Sequence, residues 1–301
     1  MAHLTRSALT LFAVPKHFRG QFATIQRNAI TSWTRLAPRP EILLFGNEEG
    51  TAELAVELRI RHFPEVARNE FGTPLLDDLF RQADQEASTP LVGYVNADIV
   101  LADDFCAAVE RVRAQFEKFL MVGRRWDVDW DRPIDFEQAG WADALRREAL
   151  RVNVQRPGNY IDYFVYPRGL FPALLPLAIG RFSWDNYLLW SARSRGAELV
   201  DASPAVTAIH QNHDYSHYTA TPGEIRMGPE RKRNRAMVGP WWRLYTIEDA
   251  TQILTASGPR PSRRHAWLMI KRVWSHPLTI FQWPWFALKG LVLPRESGLG
   301  R

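Results

Sequence analysis

The chain has 301 residues, of which 46% are hydrophobic and 24% are charged, a composition typical of soluble globular proteins with one large domain or two small ones. A formal net charge of +5 is only weak evidence for nucleic-acid binding, which we do not expect, and no apolar run reaches the about 20 residues of a transmembrane helix. The single cysteine, Cys106, excludes an internal disulfide. The apolar run Leu9–Val14 is too short for a secretory signal, so we expect a cytoplasmic protein.

Strands and helices alternate through the first part of the chain. Apolar runs and helical spacing predict, in chain order, a strand over Leu9–Val14, a helix over Gln21–Leu36, a strand over Glu41–Phe45, a helix over Thr51–Leu58, a helix opened by Pro74, a strand from Pro90, a helix from Asp103 to Lys118 and a strand over Phe119–Gly123. This alternation predicts an α/β fold with a mixed, mostly parallel central sheet flanked by helices.

The second half of the chain shows a less regular pattern of predicted elements. The sequence predicts a polar helix over Trp141–Val152, a strand over Tyr160–Tyr166, a helix ending near Ser194 and a short strand over Ala205–Ile209. The basic run Arg231–Arg235 is predicted to be a solvated loop. We expect one domain over residues 1–257, divided near residue 128, and a basic, aromatic extension over residues 258–301.

The strand that begins at Pro90 ends in Asn96-Ala-Asp98. Because open α/β sheets bind ligands beyond the carboxyl ends of their strands, Asp98 is placed to meet a metal or a phosphorylated substrate. The alternative is a plain turn in which Asp103 caps the next helix. Three histidines follow the last predicted strand, and His210 and His213 are candidate ligands that suit Mn²⁺ better than Mg²⁺.

Asp185 is the candidate general base, because it lies at a predicted helix start where a carboxylate faces the cleft. The alternative role is that of a helix N-cap. Trp184 offers a flat face for a sugar ring, and Asp162 is a weaker candidate for the acceptor site. Arg124 and Arg125 are candidates for a phosphate clamp, although a surface salt bridge explains at least one of them equally well.

These motifs, over roughly residues 8 to 220, resemble the GT-A fold glycosyltransferases of the nucleotide-diphospho-sugar transferase superfamily, in a little-characterised bacterial branch. The resemblance lies in the first strand running into Val14-Pro15-Lys16, the second running into Gly46–Gly50, Asn96-Ala-Asp98 in place of an Asp-x-Asp signature, Trp184-Asp185-Asn186, and a late His210.

The resemblance implies roles for individual residues. Asp98 would bind Mn²⁺ or Mg²⁺ on the donor diphosphate, with His210 as second protein ligand, and Asp185 would be the base. Asn96 departs from the signature because it brings no charge, which puts the strict need for a metal in question. The residues expected at the nucleotide sugar are Pro15, Lys16, Glu48, Arg68, Asn96, Asp98 and Arg124; those at the acceptor are Asp162, Trp184 and Asn186; those at the metal are Asp98, His210 and His213.

The expected function is therefore metal-assisted transfer of a sugar from a nucleotide-diphosphate sugar to a hydroxyl acceptor, with residues 1–128 as the donor half and 129–257 as the acceptor half. Two alternatives stay open: a sugar-phosphate nucleotidyltransferase, although Pro15–Gly20 lacks the glycines of its phosphate loop, and a non-catalytic carbohydrate-binding or scaffold protein. In the extension, Trp274, Trp283, Trp285 and Phe286 beside basic residues suit the inner face of a membrane, or else pack on the catalytic domain.

Overall fold

The computed structural model describes residues 7–152, 155, 160–213 and 228–264. The chain divides after Pro261 into two units, and all of the described helices and strands belong to the first, Met1–Pro261. Among the described residues, no helix is both long enough and apolar enough to cross a bilayer. His217 and the aromatic residues Trp274, Trp283, Trp285 and Phe286 lie outside the described residues.

The first half of the chain forms an alternating series. Its elements are β1 (Leu9–Ala13), α1 (Gln21–Thr34), β2 (Glu41–Phe45), α2 (Thr51–Leu58), β3 (Arg61–Phe63), α3 (Leu76–Glu86), β4 (Leu91–Val95), β5 (Ile99–Val100), α4 (Asp104–Arg113) and β6 (Phe119–Val128). Strands β1 and β4 are buried at every residue, as expected for strands covered by helices on both faces. The sequence therefore predicted the core strands and helices here within a few residues.

The second half completes the sheet. It contains α5 (Trp141–Val152), β7 (Ile161–Pro167), α6 (Trp184–Ser194), β8 (Glu198–Asp201), β9 (Ala208–Gln211), α7 (Pro229–Val238), two 3₁₀ turns (Trp241–Arg243 and Ile247–Asp249), β10 (Gln252–Thr255) and β11 (Gly258–Pro261). The prediction of a loop at Arg231–Arg235 is wrong, because these residues belong to α7. The helix inserts the polar side chains of Glu230 and Asn234, and it lacks the apolar stripe that a sequence pattern would reveal.

The strands join in the order β11-β10-β8-β6-β7-β4-β1-β2-β3, with β9 pairing β5 and the far end of β6. Pairs β1/β2, β1/β4, β2/β3, β6/β8, β6/β9 and β8/β10 are parallel, whereas β4/β7, β6/β7, β5/β9 and β10/β11 are antiparallel. The predicted α/β class with a mixed, mostly parallel sheet is confirmed.

A hydrophobic core lies on each face of the sheet. On one face the fully buried Trp33 of α1 donates its indole N–H to the carbonyl of Ile99 at 2.9 Å, which ties this helix to β5. On the other face Phe80 stacks with Tyr94 and Tyr166. Cys106 is buried in the first core, as its apolar helical pattern predicts. Packing on both faces therefore holds the sheet in place, with its polar residues at one edge.

Candidate active site and metal centre

Strands β5 and β9 bring distant polar residues together at one edge of the sheet. Asp98 lies in the short connection between β4 and β5, which is held by a hydrogen bond from the Asn96 amide to the carbonyl of Asp162 at 2.9 Å. His210 lies within β9, one residue beyond the predicted end of that strand, and pairs in register with Ile99 of β5. This pairing places Asp98 and His210 side by side although more than a hundred residues separate them.

Asp98, His210 and His213 form a cluster with metal-ligand geometry. Oδ2 of Asp98 lies 3.7 Å from Nε2 of His210 and 3.5 Å from Nε2 of His213, and the three ligand atoms lie within 4.8 Å of one another. Oδ1 of Asp98 is buried and makes no hydrogen bond to the described residues. Two imidazoles and one carboxylate suit Mn²⁺ or a similar transition metal better than Mg²⁺, so the donor set fits the predicted manganese.

The surroundings keep Asp98 ionised. Burial by itself would raise the pKa of its carboxyl, but the contact with His213 and the electrostatic effects of His210, Lys16 and Arg125 outweigh burial and hold the pKa below its ordinary value. An ionised carboxylate is the form that binds a cation.

His213 is held by the segment that follows β9. Its imidazole packs on the ring of Phe22, with centroids 4.6 Å apart, and the preceding Asn212 accepts a hydrogen bond from the side chain of Gln21 at 3.1 Å. Asn212 also donates to Asp129 at 2.7 Å. Helix α1 and the end of β6 therefore fix this histidine beside Asp98.

A buried charge network adjoins the cluster, and its centre is Arg125, which was predicted to clamp phosphate or to form a surface salt bridge. The guanidinium of Arg125 donates to both carboxylate oxygens of Asp162 at 3.0 and 3.1 Å and to Oδ1 of Asp127 at 2.9 Å. Burial would lower the pKa of Arg125, but the charges of Asp162, Asp127 and Asp98 raise it above its ordinary value. Asn96 donates to Asp162 at 2.6 Å. The alternation of Arg125 and Asp127 along one strand was the available signal.

Asp185 is the second residue of α6, and its carboxylate accepts a hydrogen bond from the backbone amide of Asn186 at 2.9 Å. Burial raises the pKa of Asp185 to about 7, and the negative charge of Asp162 contributes to the rise. Burial raises the pKa of the Tyr94 hydroxyl, and the negative charges of Asp98 and Asp162 raise it further.

The other predicted acceptor residues have structural partners. Trp184 is 5% exposed, and its ring packs on Tyr94 and Phe164 with centroids 5.4 and 5.2 Å away, so its indole belongs to the core and offers no open stacking face. The side chain of Asn186 donates to the carbonyl of Tyr245 at 2.7 Å. Asp162 is 5% exposed and engaged by Arg125.

The predicted nucleotide residues follow the ends of β1 and β2. Pro15 is buried, and the backbone of Lys16 is clamped by the side chain of Gln26, which accepts from its amide at 2.6 Å and donates to its carbonyl at 2.9 Å. After β2, Glu48 accepts from Arg68 at 2.8 Å, and its other oxygen, Oε2, is buried without a hydrogen bond to the described residues.

Arg124 lies apart from the network that Arg125 forms. Its amide donates to Ser203 at 2.8 Å, and its guanidinium is close enough to Asp201 to act on that carboxyl, whose pKa burial raises. The pairing of β6 with β7 shifts in register between Val122 and Arg124, so the direction of each arginine could not be read from the sequence.

No protein-family model and no curated protein matches this chain. Among solved structures, the chain is similar to S. aureus TarS in complex with UDP-GlcNAc (10% identity, TM-score 0.46, covering 72% of this chain and 63% of that one). It is also similar to GalNAc-T7 with UDP, GalNAc and Mn²⁺ (16%, 0.49, 78% and 49%) and to the mannosyltransferase PcManGT from Pyrobaculum calidifontis with GDP-Man and Mn²⁺ (12%, 0.45, 70% and 59%). The chain thus spans less than two thirds of the length of each of these proteins.

Proposed function

We propose that this protein transfers a glycosyl group from a nucleotide-diphosphate sugar to a hydroxyl acceptor, with a divalent cation at Asp98, His210 and His213. The observation that carries the proposal is the convergence of these three side chains beyond the carboxyl end of β4, with Oδ1 of Asp98 buried and without a hydrogen bond to the described residues. Ligands of open α/β sheets bind at that edge.

The donor is expected to lie across the ends of β1, β2 and β4. Lys16 follows β1, and its charge already acts on Asp98, so its ammonium suits the diphosphate better than Arg124, which lies beside Asp201. We assign the nucleoside to Pro15 and to the ion pair of Glu48 and Arg68. A cation at Asp98 would neutralise charge on the leaving diphosphate.

The acceptor is activated by Asp185. In its ionised form, this carboxylate takes the proton of the acceptor hydroxyl while the hydroxyl oxygen bonds to the anomeric carbon of the sugar. The bond from that carbon to the diphosphate oxygen breaks, and the nucleoside diphosphate leaves with the electron pair. A pKa of about 7 suits a base that must be ionised near neutral pH and still accept a proton.

Donor turnover by Asp98→Asn tests the proposal. The wild-type chain is incubated with UDP- and GDP-sugars, with and without Mn²⁺, and release of nucleoside diphosphate is measured together with the shift in melting temperature. We expect Mn²⁺-dependent binding and release, with Asp98→Asn reducing both at least about tenfold because it removes the charged ligand. Asp103→Asn is the matched control, since that side chain is 83% exposed and pairs only with Arg146 among the described residues.

Two results would contradict the proposal. Equal donor affinity and equal release in the wild type and Asp98→Asn would show that the cluster takes no part. Binding of free sugars without turnover of any donor would favour the carbohydrate-binding alternative, and pyrophosphate release from a nucleoside triphosphate and a sugar phosphate would favour the nucleotidyltransferase.

A further inference from the structure

We infer that Asp127 is a positioning residue for the cation site: its carboxylate fixes the ring orientation and tautomer of His210, so that Nε2 faces Asp98. The inference rests on the proposed cation site and extends it to a residue that touches neither the donor nor the cation. Asp127 is 2% exposed and lies near the end of β6.

The strand register places the two side chains together. Asp127 and His210 are partners in the parallel pairing of β6 and β9, and register partners project from the same face of a sheet. Oδ1 of Asp127 lies 3.4 Å from Nδ1 of His210, a buried nitrogen that makes no hydrogen bond to the described residues. Nε2, on the opposite side of the ring, lies 3.7 Å from Oδ2 of Asp98. The imidazole therefore stands between two carboxylates, and each nitrogen has its own.

Arg125 fixes the carboxylate in turn. It lies two residues before Asp127 on the same strand, and its Nε donates to the same Oδ1 at 2.9 Å. Its Nη1 donates to both carboxylate oxygens of Asp162, so the guanidinium cannot turn away from Asp127 without breaking this buried ion pair. With Oδ1 held in place by Arg125, the carboxylate presents a fixed acceptor toward Nδ1 of His210.

The chemical consequence follows from the single proton of neutral imidazole. A carboxylate beside Nδ1 favours a proton on that nitrogen, and so the tautomer whose Nε2 carries a free lone pair on the side of Asp98. Without Asp127, the ring is free to rotate or to carry its proton on Nε2, where it cannot bind a cation. Loss of a carboxylate that orients a metal-binding histidine typically weakens metal affinity by about 10- to 100-fold.

Mn²⁺ affinity of the full chain tests the inference. Titration followed by electron paramagnetic resonance is expected to show affinity weakened about 10-fold in Asp127→Asn and up to about 100-fold in Asp127→Ala. Asp201→Asn is the matched control, because it changes a half-buried carboxylate on the neighbouring β8 that accepts a hydrogen bond from Ser203 and lies outside the cluster. Its Mn²⁺ affinity is expected to equal that of the wild type.

A second readout uses the metal-free protein, so that it does not depend on activity. Nitrogen-15 chemical shifts of His210 are expected to report a proton on Nδ1 in the wild type and a mixture of tautomers in Asp127→Ala. Folded Asp127 variants that bind Mn²⁺ within twofold of the wild type, or a wild type that binds no Mn²⁺, would overturn the inference. Donor turnover distinguishes failure of this inference from failure of the proposed function. If the protein turns over a donor but the Asp127 variants bind Mn²⁺ as tightly as the wild type, only the role of Asp127 is wrong. If the wild type binds Mn²⁺ but turns over no donor, only the glycosyltransferase proposal is wrong.

Discussion

Asp98 and Asp185 are two carboxyls in one polar region whose pKa values move in opposite directions. For Asp98, burial is outweighed by His213, His210, Lys16 and Arg125, and the carboxyl stays ionised. For Asp185, burial dominates and the charge of Asp162 reinforces it, so the pKa rises from 3.8 to about 7. Carboxyls whose surroundings separate their pKa values are suited to different tasks, here a cation ligand and a proton acceptor.

The raised pKa of Asp185 predicts a pH-dependent stability. Between about pH 4 and pH 7 the folded protein keeps a proton on this carboxyl that the unfolded chain releases, so the free energy of unfolding falls as the pH rises through this window. At about 1.4 kcal/mol per pKa unit, the loss amounts to a few kcal/mol. Asp185→Asn removes this titration, and we expect it to be more stable than the wild type at pH 8 and to lose less stability from pH 4.5 to pH 8.

Urea unfolding at pH 4.5, 6 and 8 measures this difference, with Asp103→Asn as the control for loss of one exposed carboxylate. A pH slope in Asp185→Asn equal to that of the wild type would contradict the raised pKa. Asp98 does not confound the comparison, because its depressed pKa affects stability only at lower pH, where stability is lost as that carboxyl becomes protonated.

At the scale of the element, β6 contributes residues to the site, and its pairing with β7 is irregular at Gly123. A Cβ placed on this glycine would lie 1.8 Å from the hydroxyl oxygen of Tyr163 and 2.7 Å from Cζ, inside a core where Tyr163 is fully buried. The register of β6 against β7 shifts at the same place, two residues before Arg125. Glycine thus lets the two strands approach closely, and the shift directs the residues that follow it toward the cation site.

Gly123→Ala is therefore expected to destabilise the fold by about 1 to 3 kcal/mol, the usual cost of overpacking a core, and to weaken Mn²⁺ binding through displacement of β6. Chemical denaturation and the Mn²⁺ titration measure the two effects. Tyr163→Phe is the matched control: its hydroxyl makes no hydrogen bond to the described residues, so its loss costs little, and in the double variant it should relieve part of the clash. A Gly123→Ala protein as stable as the wild type would contradict the close approach.

The elements that the sequence predicts best are those with a simple hydrophobic pattern. Runs such as those of β1 and β2 are continuous because helices cover both faces of the sheet, and their bounds follow directly from the residues. The strands β3, β8, β10 and β11 escaped prediction because they are only three or four residues long and mostly polar or proline-containing. Their pairing is set by the rest of the sheet, which no local pattern reveals.

The residues of the candidate site also differ in how well the sequence predicts them. Asp98 and the histidines were predictable because each follows or ends a strand, and strand ends meet at one edge. Trp184 was predicted to face a sugar, but helix α6 turns it into the core, a direction fixed by tertiary packing. Asp127 was missed because β6 was expected to end at Gly123, whereas it continues to Val128 and carries Asp127 into register with His210.

At the scale of the whole molecule, charge is unevenly divided along the chain. Residues 262–301 contain seven arginine and lysine residues and one acidic residue, so the net charge of +5 comes entirely from this segment and the remainder is close to neutral. The same segment contains Trp274, Trp283, Trp285 and Phe286. Basic and aromatic residues together are typical of segments that bind the headgroup region of anionic membranes.

We therefore propose that residues 262–301 hold the protein at an anionic membrane surface, and co-sedimentation with vesicles tests this. The comparison needs a chain that ends at Pro261, because β11 (Gly258–Pro261) pairs along its whole length with β10 and an earlier cut would remove an edge strand of the sheet. We expect the full chain to pellet with phosphatidylglycerol vesicles, to pellet less as salt screens its charge, and to stay in solution with phosphatidylcholine. The chain ending at Pro261 should stay in solution with both kinds of vesicle, and equal pelleting of the two chains would contradict a membrane role for residues 262–301.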